Sequence, residues 1–186
     1  MAQLSPASTL DAQLKAASEI ADAIVAVLTN ERGAHAETVI VAAARMAGTF
    51  LFHSFNLPTR NLSPGTPVFS DAANERGPLL VEVLESGLKG LDVEISKPVA
   101  LAEPGEGHSA QLTLSQTQIA LEPGLTKITS AHGLSGEAAA RACALAAALL
   151  IYRTRSVLDP TIGFGLAVYG FVEGTKTVPA RSLHVR

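Results

Sequence analysis

A chain of 186 residues, 47% apolar and only 17% charged, is long enough for one domain with a full core and poor in charge for a protein surrounded by water. A formal net charge of −3 offers no broad cationic surface to nucleic acid, and a single cysteine, Cys143, excludes a disulfide framework or a cysteine-rich zinc site within one chain. The longest apolar runs, 38–52, 138–152 and 161–172, all fall short of the roughly 20 residues of a spanning helix, and Arg45 and Arg141 interrupt the first two, so no membrane span is expected.

The start, MAQLSPASTLDAQLK, has neither the basic end nor the apolar centre of a secretory signal. With the lone cysteine, this points to the cytoplasm. Leu10, Leu14, Ala17, Ala21, Ile24 and Leu28 then recur at steps of four and three, which predicts an amphipathic helix over 9–30, capped by Thr9 and ended by Gly33. Residues 34–55 are apolar nearly all round and read as a central helix. Pro58, Pro64, Gly65 and Pro67 make 56–70 an irregular surface connection.

Pro78 suits the first position of a helix that stops near Gly90. LDVEI, 91–95, alternates and is the one strand-like segment; it needs a partner, from a short hairpin or from another chain. A second irregular loop is expected over 96–110. Ser115 and Gln118 have capping-box spacing, Pro123-Gly124 should kink or break the helix they open at Glu122, and Gly133 should close it. Ser135 caps a second, alanine-rich central helix that runs to about Arg155 and carries Glu137 in its first turn.

Asp159-Pro160 opens the last element. Gly163, Ala167, Gly170 and Gly174 fall on one helical face, a stripe of small residues that lets another backbone approach closely, and the reading places it at a chain–chain contact. A strand with Phe164, Leu166 and Val168 on one face is the competing reading of 160–174. Residues 178–186 are expected to be a tail.

The motifs with catalytic associations do not hold. Gly170, Lys176 and Thr177 imitate a phosphate loop, but Thr175 stands where glycine must precede the lysine, and too little chain remains after Thr177 for the helix that faces the phosphate. GFGLAVYG has its third glycine misplaced for a dinucleotide fingerprint. His35-Ala36-Glu37 matches the H-x-E of zinc deaminases without their C-x-x-C, and the five histidines show no paired metal spacing. The helix-turn-helix cadence around Gly133 offers only Glu137 and Arg141 to a base edge. Cys143, within ACALAAALL, reads as a buried hydrophobe. No metal, nucleotide or other cofactor is expected. The acid-rich 71–106 and base-rich 151–186 stretches read as solvated faces rather than docking sites.

There remain the polar groups in apolar or breaker-rich surroundings. Arg45 and His53 lie two turns apart on the central helix, and a buried arginine must pair, with Glu75 one conceivable partner. Glu75 and Arg76 directly precede Gly77-Pro78, and Lys176 sits at the end of the last helix. The expected architecture is all-α, a single-domain bundle of five or six helices around two nearly all-apolar ones. The leading functional expectation is a non-catalytic homodimer acting through a protein partner or a small apolar ligand. Its rivals are a small enzyme assembled from Arg45, His53, Glu75, Arg76 and Lys176, and a peripheral membrane protein.

Overall fold

Alanine decides the architecture, because helices lined with it can approach closely and bury nearly their whole circumference. The computed structural model describes residues 6–95 and 108–180, and within them the chain is all-α, with no strand. Its helices are α1 Pro6–Leu28, α2 Ala36–Ser54, α3 Asp71–Arg76, α4 Pro78–Gly90, α5 Leu114–Ala131, α6 Gly136–Thr154 and α7 Pro160–Thr175. Every residue of α2 from Thr38 to Phe52 is buried, and α6 buries most of its length between Ala139 and Ile151, Cys143 included. These are the two central helices that the composition predicts. Helix α2 lies against α1, α5, α6 and α7, while α1 and α4 flank α6. Among the described residues no single helix is long and apolar enough to cross a membrane.

The α2–α7 crossing is set by glycine. A Cβ on Gly48 would stand 2.6 Å from Phe171 O and 2.7 Å from Thr175 N; one on Gly170 would stand 2.9 Å from Ala44 Cβ; one on Gly174 would overlap the Arg45 carbonyl. The two backbones therefore touch. The element at 160–174 is a helix, opened by Asp159, whose Oδ1 accepts from Thr161 N at 2.7 Å. Its small face is covered by the chain's own α2 and α6: Gly163, Ala167 and Gly170 are all buried, and Gly163 lies against Ile151 and Ile40. The expectation that these three residues meet a second chain is corrected, because their close approach is intramolecular.

Other boundaries differ for local reasons. Helix α1 begins at Pro6, a residue preset for the first turn, so Thr9 is inside the helix rather than its cap. Its buried stripe runs through Ala16, Ala17, Ile20, Ala21 and Ile24, which leaves Leu10 and Leu14 at the edge, 53% and 52% exposed. The capping box of α5 is Thr113 with Gln116, not Ser115 with Gln118. Pro123 does not break α5: it and Gly124 are exposed, and the carbonyl it leaves without a donor belongs to the turn of exposed Ile119, where water can serve. Gly133, at φ +68°, does close α5. The Gly133 N–H donates to Ser130 O and the Leu134 N–H to Thr129 O, the double bond of a Schellman end. The segment 91–95 is not a strand; Asp92 turns at φ +54°, and Val93 and Ile95 rest on the core.

Helix α3 is an element the sequence did not announce. Ser70 Oγ accepts from Ala73 N, and Gly77 stays helical at φ −55°, ψ −45°, so α3 runs into α4 nearly without a break. Residues 65–68 are stitched to 176–178: Gly65 N donates to Val178 O, Val178 N to Thr66 O and Val68 N to Lys176 O. The expected tail therefore starts later, since Val178 and Pro179 are buried. Most of the loop expected over 96–110, and the rest of the tail, lie outside the described residues.

Candidate functional site

Three polar side chains recur at successive turns in the second half of α2, Arg45, Thr49 and His53, and each meets a matched group on α5 or α7. Arg45 Nε donates to Glu173 Oε2 at 2.7 Å and its Nη1 to Leu112 O at 2.5 Å. Thr49 Oγ1 donates to Arg45 O and accepts from Gln118 Nε2, both at 2.9 Å. Gln118 Oε1 in turn accepts from Ala180 N at 2.9 Å. His53 Nε2 lies 3.0 Å from Glu122 Oε1. This seam fastens α5, α7 and the chain after α7 to one face of α2, with most of its atoms out of water. Glu122 Oε2 is its loose end, buried with no hydrogen-bond partner among the described residues.

The five residues singled out from the sequence are not brought together. Arg45 pairs with Glu173 rather than Glu75, and His53 meets Glu122. Arg76 bonds Glu137 at 2.5 Å and lies over the Phe55 ring. Arg141 approaches the same carboxylate at 2.8 Å. The hydrogen bond from Arg76, helped by Arg141, holds Glu137 below the usual carboxylate range against the opposing effect of partial burial. Glu75 is exposed on α3. Arg45, His53 and Arg76 thus engage three different carboxylates in structural pairs, and the enzyme site expected from their convergence is not assembled.

Lys176 alone of the five lines an apolar cleft. Val81 of α4 and Val168, Phe171 and Val172 of α7 form its walls, Ala73, Gly77 and Pro78 its α3–α4 edge, and its volume is about 410 Å³. The Val68–Lys176 hydrogen bond, two residues before the α3 cap, sets one end. Lys176 marks that end with Thr175 next to it in the chain, and Asn74, one turn into α3 from the Ser70 cap, also lines the cleft. Thr175 is 2% exposed, and its Oγ1 has no hydrogen-bond partner among the described residues. Glu82 also lines the cleft, eight residues beyond Asn74, or about 12 Å by helical rise.

A second cleft, wider and more polar at about 700 Å³, lies at the start of α2 and includes Arg32, His35 and Glu37. Glu37 sits between two imidazoles, 3.4 Å from His35 Nε2 and 3.1 Å from His108 Nδ1. Burial pushes its carboxyl up, but its own backbone N–H and the two histidines outweigh this and leave it below the usual range. Among the described residues no group of three or more His, Cys, Asp or Glu is placed to hold a metal ion. Cys143 is fully buried, and burial pushes its thiol above the usual range, which makes it a poor nucleophile.

Fold and clefts together define an alanine-rich helical bundle with a charge-paired interior and an apolar groove on one side. No protein-family model matches the chain, no curated protein is similar to it, and no solved structure matches its fold. The groove escaped sequence reading because its walls come from helices about 90 residues apart in the chain. One local signal was present: Val168 and Val172 are large apolar residues on the side of α7 opposite the glycine stripe, where a helix packed on one face should be polar.

Proposed function

We propose that the protein is a non-catalytic binder of a small, largely apolar molecule, held in the cleft between α3–α4 and α7. The observation that carries this reading is the cleft itself: apolar walls from two sides, a volume of about 410 Å³ and few polar residues in the lining, Asn74, Glu82, Thr175 and Lys176. Binding sites for small molecules are built this way, mostly apolar with a few polar groups that orient the ligand. The interior ion pairs support a non-catalytic role, since Arg45, His53 and Arg76 are engaged with Glu173, Glu122 and Glu137 in holding helices together.

The test uses the neutral dye N-phenyl-1-naphthylamine, whose fluorescence rises in apolar surroundings. Saturable enhancement is expected with the wild-type protein and its loss with Val172→Arg, a change at an exposed rim position that leaves the core intact. Equal enhancement by the variant removes the cleft from the proposal.

A contact role as a homodimer has support of its own in Leu10 and Leu14, one turn apart on α1 and both more than half exposed. Sedimentation of Leu14→Lys beside the wild type tests it. A dimer that the substitution leaves intact places the contact elsewhere.

A further inference from the structure

Resting on the reading of the α3–α4/α7 cleft as a ligand site, we propose that its occupant carries an anionic head: a monocarboxylate on a short hydrocarbon tail, with the head at the Lys176 end. Three of the polar side chains lining the cleft are able to donate. Lys176 has three ammonium hydrogens, Asn74 an amide and Thr175 a hydroxyl. None of these side chains has a hydrogen bond or ion pair to another described residue, and the Thr175 Oγ1 is buried in that state. The half-exposed Lys176 ammonium and the exposed Asn74 amide are the donors a ligand head can reach, and a cation beside apolar walls calls for an acceptor of opposite charge.

The acid that would ordinarily neutralise Lys176 is taken. Glu173 precedes it by three residues, the spacing at which charges on a helix pair, but its Oε2 is held by Arg45 Nε at 2.7 Å. Among the described residues Glu82 is the one acid lining the cleft, and it stands about two helical turns along α3–α4 from Asn74. The cleft is thus polarised, with an unpaired cation at one end, an exposed acid at the other and aliphatic and aromatic walls between. A carboxylate at the Lys176 end satisfies the lysine, keeps its charge away from Glu82 and lays its tail along Val172, Phe171 and Val168. The volume suits a small tail, being near the lower bound of ligand pockets, about 300 Å³.

Calorimetric titration of the full chain with octanoate, 1-octanol and octylamine separates this proposal from the reading beneath it. Octanoate is expected to bind about tenfold more tightly than 1-octanol, the difference a charged hydrogen bond makes. Lys176→Met, at a half-exposed position, should abolish the preference, so that octanoate binds the variant no more tightly than 1-octanol does. Equal binding of octanoate and 1-octanol, a preference for octylamine, or an octanoate affinity that Lys176→Met does not alter overturns the anionic head while the apolar site stands. Failure of all three molecules to bind overturns both.

Discussion

Substitution of Gly48 by alanine puts the α2–α7 contact to a sharp test, because local and tertiary effects have opposite signs there. In an exposed helix interior, Gly→Ala stabilises by about 1 kcal/mol. At Gly48 the added Cβ would stand 2.6 Å from Phe171 O, 2.7 Å from Thr175 N and 2.8 Å from Gly174 C. All three are backbone atoms, which cannot rotate away, so α7 has to lift from α2. Overpacking of this kind costs about 1–3 kcal/mol, and with no flexible side chain to yield the upper end applies. Net of the propensity gain, Gly48→Ala should destabilise by about 2 kcal/mol, which at this chain length lowers Tm by about 4–8 °C. Gly165 is the internal control: it lies in α7, and a Cβ there meets nothing within 4 Å. Gly165→Ala should therefore stabilise by up to about 1 kcal/mol. Urea unfolding followed by circular dichroism at 222 nm measures both variants. A Gly48→Ala protein as stable as the wild type, or a Gly165→Ala effect of the same sign, refutes the backbone contact.

The remaining predictions concern charge and burial. Arg45→Met leaves Glu173 and the Leu112 carbonyl without their donor in a mostly buried setting and should cost about 3 kcal/mol; Arg45→Lys should recover only part of this, because one ammonium cannot reach in two directions as Nε and Nη1 do. Both are read from urea midpoints. Arg76→Leu should destabilise by at most about 1 kcal/mol at neutral pH, since the pair is partly exposed. The Glu137 carboxyl is depressed in the folded state, so its contribution is full above the usual carboxylate range and disappears as pH falls through the lowered value. The gap between the variant and the wild type should therefore close in acid, and a gap that widens there contradicts the assignment. Cys143 should resist Ellman's reagent in the folded protein and react fully in 6 M guanidinium; rapid labelling of the native chain would place it at the surface.

The helical class, the buried character of α2 and α6, and the boundaries at Pro78, Gly90, Gly133 and Asp159-Pro160 were legible because each is a local property, whereas α1 stops at Leu28, short of Gly33. Alanine-rich apolar runs have one inexpensive home, the centre of a helical bundle, and Asp159-Pro160 carries its own geometry. Gly163, Ala167 and Gly170 were read correctly as a face for close approach and assigned to the wrong neighbour. Periodicity reports that a second backbone comes near, but not whose. Arg45 shows the same limit: burial demands a partner, yet Glu173 is 128 residues away and nothing in the spacing favours it over Glu75. Pro123 misled because the penalty for an interior proline depends on whether the freed carbonyl reaches water, a tertiary fact. The cleft is the most non-local feature of all, and Lys176 stood out in the sequence for a different reason, as a cation at a helix end.

The claim that the cleft between α3–α4 and α7 is a ligand site is tested most directly by a methyl-resolved NMR titration with 1-octanol, with valine methyls labelled. Saturable shifts are expected at Val81, Val168 and Val172, while the exposed Val27 of α1 and Val157 after α6 stay in place. Shifts absent at the cleft valines, or spread evenly over exposed apolar residues, would contradict it.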